Sequence, residues 1–381
     1  MIPTDPAAEA ALSRLTIDLG AVRRNYRRLV KELGGVPCAG VVKADGYGLG
    51  AARVAPALSA EGCRIFFVAT LDEAVRLRPV LPDATVCCLN GLLAGTEDVF
   101  VAHRIVPVLN ALDQITRWQT HGGRLGRSLP AILHVDTGMN RLGLGDDEWD
   151  RVLGTPGVLD GVDWQYLISH LAVADEPDNP ANALQLARFQ RVRQRMPNGM
   201  KASLANSSGI FLGTPYHFDL GRPGVALYGG RPSSIGPNPL ECPIRLEGRV
   251  LQVRDVPAGD SVGYGNSWTA GRRSRIATVA AGYADGYLRS LSGAGTVALG
   301  ARTCPVVGRV SMDLITVDVT DVPPAEIAPG TFVEVLGPTI TPDAAADAAG
   351  TIGYELLTAL GRRYVRHYVD TAVETITVDR T

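Results

Sequence analysis

The sequence predicts an α/β protein in two parts, a (β/α)8 TIM barrel followed by a second, mainly antiparallel β domain. Three observations carry this. Short apolar runs rich in β-branched residues alternate with helix-periodic segments through residue 220, a Pro-rich stretch follows, and β-type runs between Gly and Pro turns then take over. Alternating strand and helix signals imply a parallel sheet with helical crossovers. The eight runs at 38–42, 65–69, 85–89, 106–109, 131–135, 164–168, 201–204 and 216–220 favour a closed barrel over an open doubly wound sheet. Between them, 21–33 and 182–196 have helical spacing, and Thr70-Leu71-Asp72-Glu73 has the form of a capping box. Segment 231–243 contains Pro232, Pro237, Pro239 and Pro243, which cannot donate to a ladder, so it reads as a linker. Beyond it, 249–256, 276–281, 296–299, 304–319 and 332–336 read as strands, with one helical stretch at 354–360. The expected division is a barrel over 1–235, whose first residues could pair with the β domain, and a β domain over 241–381.

The 381 residues are 46% hydrophobic and 20% charged, a globular composition that excludes disorder and suits two domains or a large barrel with an appendage. With 37 basic and 39 acidic residues interspersed, the net charge of −2 leaves no electrostatic footprint for nucleic acid or an anionic membrane. A small-molecule ligand is therefore expected. The six cysteines form no CxxC pair, and several sit in apolar runs, so they read as reduced core thiols. The opening MIPTDPAAEAALSRL lacks the basic start and apolar stretch of a signal peptide, and no run approaches the ~18 apolar residues of a membrane helix. A cytoplasmic enzyme is the expectation, and no HExxH or clustered His and Asp ligands suggest a metal hydrolase.

Only three of the 37 basic residues are lysines, Lys31, Lys43 and Lys201. Lys43 ends the first barrel run, where barrel enzymes keep their catalytic groups. A partly desolvated lysine there has a lowered pKa and can form a Schiff base with a carbonyl or with pyridoxal phosphate, although a solvated loop lysine fits the same position. Gly46-Tyr47-Gly48 offers a tight turn and a phenol that could reach a phosphate, but without the Gly-Lys-Ser/Thr of a P-loop. Segments 205–209 and 221–225 follow the last two runs, where barrels often bind phosphate. An Asn-Ser-Ser-Gly loop is also a common helix cap.

Nine ordered segments, VVKADGYGLG, HVDTGMNRLGL, SHLAVAD, LANSSG, GRPGVALYG, VGYG, GYADGY, GRVSMDLITVDVT and IGYELL, resemble pyridoxal-phosphate-dependent alanine racemases from residue 15 to about 368. The resemblance implies a barrel joined to a β domain, in a head-to-tail homodimer whose two active sites each draw on both chains. It implies interconversion of L- and D-alanine, cytoplasmic and connected with D-alanine biosynthesis and peptidoglycan, though alanine catabolism is equally compatible. By this resemblance Lys43 would hold pyridoxal 5'-phosphate as an internal aldimine and act as the base on the D face of Cα. Tyr264, from the partner subunit, would be the base on the other face. Tyr47, Asn206, Ser207, Gly224, Val225 and Tyr354 would hold the cofactor phosphate, His170 would lie against the ring, and Arg222 would donate to the ring nitrogen. Arg141 would bind the substrate carboxylate or the cofactor phenolate oxygen, and Met312 of the partner subunit would offer its backbone N–H to the carboxylate. Tyr283, Arg289, Arg309 and Asp313 would border the access corridor.

One position departs from the family pattern. Many members carry a carbamylated lysine two residues before the Asp-Thr-Gly segment, orienting the arginine, and this chain has His134 there. Imidazole cannot form a stable carbamate, so His134 is expected to hydrogen-bond near Arg141 directly or through water. Decarboxylases of similar architecture usually pair the ring nitrogen with a carboxylate, which Arg222 speaks against. A non-catalytic carrier built from a lone barrel would leave the second domain unexplained.

Overall fold

The computed structural model describes residues 10–196, 199–370 and 375–379, so most of the segment read for a targeting signal lies outside the described residues. Two compact units are present: one is Val22–Leu240, the other joins the described residues up to Ala21 with those from Glu241 onward. In chain order the strands are β1 (Ser13–Asp18), β2 (Gly40–Val41), β3 (Ile65–Val68), β4 (Thr85–Cys88), β5 (Ile105–Leu109), β6 (Leu129–His134), β7 (Val162–Ile168) and β8 (Lys201–Ser203). Strands β2 to β8 lie side by side in sequence order, every neighbouring pair parallel.

The sheet closes through a segment too irregular to count as a strand. Asp219 N donates to Ala202 O (2.9 Å) and Arg222 N to Ala205 O (2.9 Å) on one side. On the other, Ala39 N donates to Gly221 O (2.9 Å), Gly221 N to Pro37 O (2.9 Å) and Val41 N to Pro223 O (3.1 Å). The eighth stave is thus 219–223, displaced from the apolar run at 216–220. Phe218, at φ +50°, breaks the extended path ahead of it, and Thr214–Tyr216 forms a 3-10 turn. Gly221 is required at the join, because a Cβ there would stand 2.7 Å from a Leu33 methyl.

The barrel strands are apolar on both faces, with Phe66, Phe67, Val86, Val108, Leu133 and Ala202 fully buried. Their crossovers start where the sequence signals them: the helix Leu71–Leu77 opens with the Thr70/Glu73 capping box. At the amino ends of the strands, buried Arg78 donates to four carbonyls, those of Leu81, Ala84, His103 and Arg104, tying the entrances of β4 and β5 together. All six cysteines are free, five of them buried.

The second unit contains β9 (Ile244–Val256), β10 (Ser261–Val262), β11 (Trp268–Thr269), β12 (Ser274–Val279), β13 (Thr296–Leu299), β14 (Arg302–Val307), β15 (Ile315–Asp318), β16 (Phe332–Leu336), β17 (Val365–Asp370) and β18 (Thr375–Asp379). Its main sheet runs β12-β15-β14-β13-β16-β9-β1-β17-β18, and a further β12–β9 pairing closes the first six strands into a ring. All pairings are antiparallel except that of β1 with β17. The single strand expected at 304–319 is two, β14 and β15, because Gly308 takes φ +69° and opens the turn that carries Met312. A helix at Pro342–Ala349, capped by Thr341, had no reading in the sequence.

Arg78→Met should lower the free energy of unfolding by on the order of 3 kcal/mol, since it strands four carbonyls in the interior. Urea titration measures this. Activity of the folded fraction should persist, because these carbonyls lie at the opposite end of the barrel from Lys43.

Candidate active site

Strand β2 stops at Val41, and the turn after it sets the geometry of the site. Ala44, Asp45, Gly46 and Tyr47 have φ of +52°, +52°, +65° and +54°, one turn of left-handed helix closed by Gly46 N to Val42 O (2.9 Å) and Gly48 N to Ala44 O (2.8 Å). For residues with a Cβ this conformation costs ~1–2 kcal/mol each. Offsetting contacts surround it. Asp45 Oδ1 accepts from Ala51 N (2.9 Å), Glu73 Oε1 accepts from Ala44 N (2.6 Å), and the buried Tyr47 ring stacks on Tyr228 at 4.6 Å. The turn sets half-buried Lys43 at the carboxyl end of the strand. Burial lowers the proton affinity of its amine and nearby Arg141 lowers it further, while Glu73 acts in the opposite direction.

Beside the turn, the loops after β8 and the closing segment form a cradle. Buried Ser207 accepts at Oγ from Gly224 N (2.9 Å) and Ala226 N (3.2 Å), which leaves its own proton to donate outward. Asn206 holds that segment by capping Gly209 N (2.8 Å). A Cβ on Gly224 would lie 2.2 Å from the Tyr47 hydroxyl, so only glycine lets phenol and backbone meet there. Two hydroxyls, a glycine approach and the backbone of Val225 fit a phosphate monoester.

Arg222 lies beneath, 5% exposed, donating to Ser203 Oγ and to Ser169 O. Among the described residues no carboxylate pairs with it. Burial lowers its pKa to about 10, so it keeps its proton at neutral pH. His170 is pushed down to about 3 by burial, then by Arg222 and Arg141, and is a neutral imidazole. The carboxylate of Asp136 gathers the N–H groups of Gly138, Met139 and Asn140 at 2.7 to 2.9 Å, shaping the loop that presents exposed Arg141.

Of the two routes expected between His134 and Arg141, direct or through water, the direct bond is not formed among the described residues. Instead His134 Nδ1 lies 2.7 Å from Asn110 Oδ1. Asn110 spends its amide protons on Leu89 O (3.1 Å) and Val108 O (3.0 Å), so its oxygen must accept, and the imidazole carries its proton on Nδ1 with a lone pair on Nε2. Burial, followed by Arg222, lowers its pKa to about 4. Asn110 had no reading in the sequence, and Ser203, Glu73 and Asp136, read there only as parts of an apolar run, a capping box and a family segment, were not among the expected site residues. A buried asparagine directly after the apolar run of β5 was the one available signal.

Tyr264, Met312 and Tyr354 belong to the second unit. Tyr264 is 72% exposed in a turn flanked by Gly263 (φ +79°) and Gly265 (φ +69°). Met312 is 54% exposed, its carbonyl accepting from Ala284 N (2.9 Å) while its N–H makes no hydrogen bond among the described residues. Tyr354 is half-exposed on the helix Gly353–Ala359. Arg289 and Arg309 border a cavity of about 380 Å³ with Ser267, Trp268 and Ser292. Asp313 pairs instead with Arg363 (2.6 Å).

A lysine of weakened basicity beside a phosphate-sized cradle at the barrel mouth suits an enzyme of amine–carbonyl chemistry on a (β/α)8 barrel with an appended β domain. Residues 17–232 match the family model for the alanine racemase N-terminal domain and 244–368 that for the C-terminal domain, so the chain belongs to the alanine racemase family. It is 50% identical over 362 residues to an alanine racemase of Rhodospirillum rubrum, covering 94% of this chain and 96% of that one. It is likewise 50% identical over 368 residues to a catabolic alanine racemase of Mesorhizobium japonicum, covering 96% and 95%. The crystal structure of alanine racemase from Bartonella henselae, with covalently bound pyridoxal phosphate, superimposes with a TM-score of 0.90 at 42% identity, covering 94% of this chain and all of that one.

Two measurements test the histidine geometry. Selective 15N spectra should show His134 protonated at Nδ1; protonation at Nε2 would contradict the role given to Asn110. Because its folded pKa is about 4 and an unfolded imidazole titrates near ~6.5, the unfolded chain binds more protons in between. The contribution of neutral His134 should be present above about pH 6.5 and be lost as pH falls towards 4, so the Tm gap between the wild type and His134→Gln should change across that window and be flat above it.

Proposed function

We propose that the protein interconverts L-alanine and D-alanine by a two-base mechanism, with pyridoxal 5'-phosphate held at Lys43. The observation that carries this reading is the Lys43 turn contributing Tyr47 to the cradle it forms with Ser207 and Gly224, in a chain of the alanine racemase family. When bound, the cofactor would supply a conjugated electron-withdrawing group that acidifies the Cα–H of an attached amino acid. The hydroxyls of Tyr47, Ser207 and Tyr354 and the backbone at Gly224 and Val225 would hold its phosphate, with Asn206 fixing the Ser207 segment. His170, neutral, would lie against the ring. Arg222 would donate a hydrogen bond to the ring nitrogen without surrendering its proton, which keeps the ring a modest electron sink and limits side reactions.

Racemisation removes a proton from one face of Cα and returns one to the other, which one side chain cannot do without crossing the cofactor plane. Lys43, its proton affinity lowered by burial, would serve the D face. Tyr264 would serve the other face from the partner subunit, its exposure within one chain suiting that role. The free N–H of the partner's Met312 and the guanidinium of Arg141 would bind the substrate carboxylate, with Tyr283, Arg289, Arg309 and Asp313 near the approach. On this reading the functional division falls at 1–235 and 241–381, and the protein is a cytoplasmic homodimer whose activity serves either D-alanine supply to peptidoglycan or alanine catabolism.

Borohydride reduction of the protein with pyridoxal phosphate should label Lys43 and neither Lys31 nor Lys201 in the peptide map; a label elsewhere would overturn the assignment. Tyr264→Phe should slow racemisation by about 10² to 10⁴, with Cα–H exchange surviving better for D-alanine than for L-alanine. Mixing the inactive Lys43→Ala and Tyr264→Phe variants should restore activity, since one site of each mixed dimer is intact. Mixed dimers that form and stay inactive would exclude a shared site.

A further inference from the structure

The carboxylate of Glu73 does more than its helix requires. A capping box needs the Glu side chain to accept only the N-cap N–H, here Thr70 N to Oε2 at 3.2 Å. Oε2 also accepts from Ala69 N (2.8 Å), and Oε1 reaches to another loop to accept from Ala44 N at 2.6 Å. That amide lies between Lys43 and the first left-handed residue, so its position sets the direction in which the lysine side chain leaves the backbone. We propose that Glu73 is the positioning residue of Lys43, its carboxylate pinning the Lys43–Ala44 peptide in the left-handed turn and acting through space as the counter-charge of the amine.

The proposal rests on Lys43 being the cofactor-bearing lysine. No ion pair within contact distance joins the two side chains among the described residues, so the charge acts at a distance. The groups acting on the amine are few: Arg141 disfavours the ammonium, Glu73 favours it, and His170, also close, is neutral. Cys88, which also feels the charge of Glu73, has its thiol pushed up to about 11 by burial, which keeps it uncharged. Glu73 is therefore the carboxylate that keeps burial and Arg141 from depressing the basicity of Lys43 further. A helix cap alone would give the amine no such dependence.

The scarcity of lysine makes a direct test available. In the full-length, cofactor-free protein, trace acetylation across pH 6 to 11 followed by peptide mass spectrometry titrates Lys43 with Lys31 and Lys201 as internal references. Glu73→Gln, which keeps an acceptor for Ala44 N but removes the charge, should lower the Lys43 midpoint enough to speed its labelling about threefold or more below that midpoint, leaving both references unchanged. Glu73→Asp, which keeps the charge, should keep the midpoint near that of the wild type and carries the comparison if the Gln variant fails to fold. Thr70→Ala, which removes only the capping hydroxyl, should lower Tm without moving Lys43. An unchanged midpoint in Glu73→Gln, or one displaced as far in Thr70→Ala as in Glu73→Gln, would overturn the proposed action of Glu73 on the Lys43 amine. Failure of borohydride to label Lys43 in the wild type would instead undo the functional reading, whatever the titration shows.

Discussion

The left-handed turn at Ala44–Tyr47 is the constraint on which the site depends. Three of its four residues carry a Cβ, so the conformation costs roughly 3 to 6 kcal/mol in all, and it persists only because the barrel over-determines it. Asp45, Glu73 and the Tyr47–Tyr228 stack each hold one part of the turn from a different direction. A right-handed turn or an extended loop would satisfy local propensity better. It would not bring a lysine and a phenol four residues apart onto the mouth of the barrel together. The turn also dictates a residue far away in sequence, since the Tyr47 hydroxyl occupies the place where a side chain on Gly224 would be.

Electrostatics around the turn follow one pattern: the site keeps its cations and neutralises its imidazoles. Arg222 is buried against a hydroxyl and a carbonyl, neither of which compensates its charge, and Arg141 has no ionic partner among the described residues. His134 and His170 lose their protons to burial among these guanidinium groups. Protein groups thus leave a local positive potential at a concave site, one that favours a ligand bearing a phosphate and a substrate bearing a carboxylate. The single countervailing carboxylate acting on Lys43, that of Glu73, is withdrawn from contact and anchored by backbone N–H groups, so it moderates the amine without competing for the ligand.

Much of this was legible in the sequence where the signal is local or periodic. Alternating strand and helix patterns marked the barrel, the Thr70–Glu73 spacing marked a cap, and the apolar run before Lys43 marked its place at the carboxyl end of a strand. The features that escaped are non-local or run against propensity. The eighth stave, with Gly221 and Pro223 in it, has none of the composition of a strand and is recognised only by hydrogen bonds to both neighbours. The pairing of Asn110 with His134 joins two strand ends, and that of Glu73 with Ala44 joins two loops, so neither leaves a spacing that can be read. The handedness of the turn is hidden for a related reason: Lys-Ala-Asp would be ordinary in a right-handed helix, and only tertiary contacts choose otherwise.

Replacing a charged partner by Asn110–His134 changes how the neighbourhood of Arg141 is organised. A carboxylate or carbamate beside a guanidinium would attract it strongly from a wide range of directions, while a neutral imidazole offers one lone pair whose value depends on aim. Asn110 settles which nitrogen carries that lone pair, because its own amide protons are committed to two strand carbonyls and its oxygen can only accept from Nδ1. The cost of neutrality is that His134 makes no direct bond to Arg141 among the described residues. In return, the positive potential of the mouth is undiminished, and the arrangement is indifferent to any reagent that would be needed to maintain a modified lysine. Arg141 stays exposed, positioned chiefly by the Asp136 loop, and free to turn towards whichever anion is present.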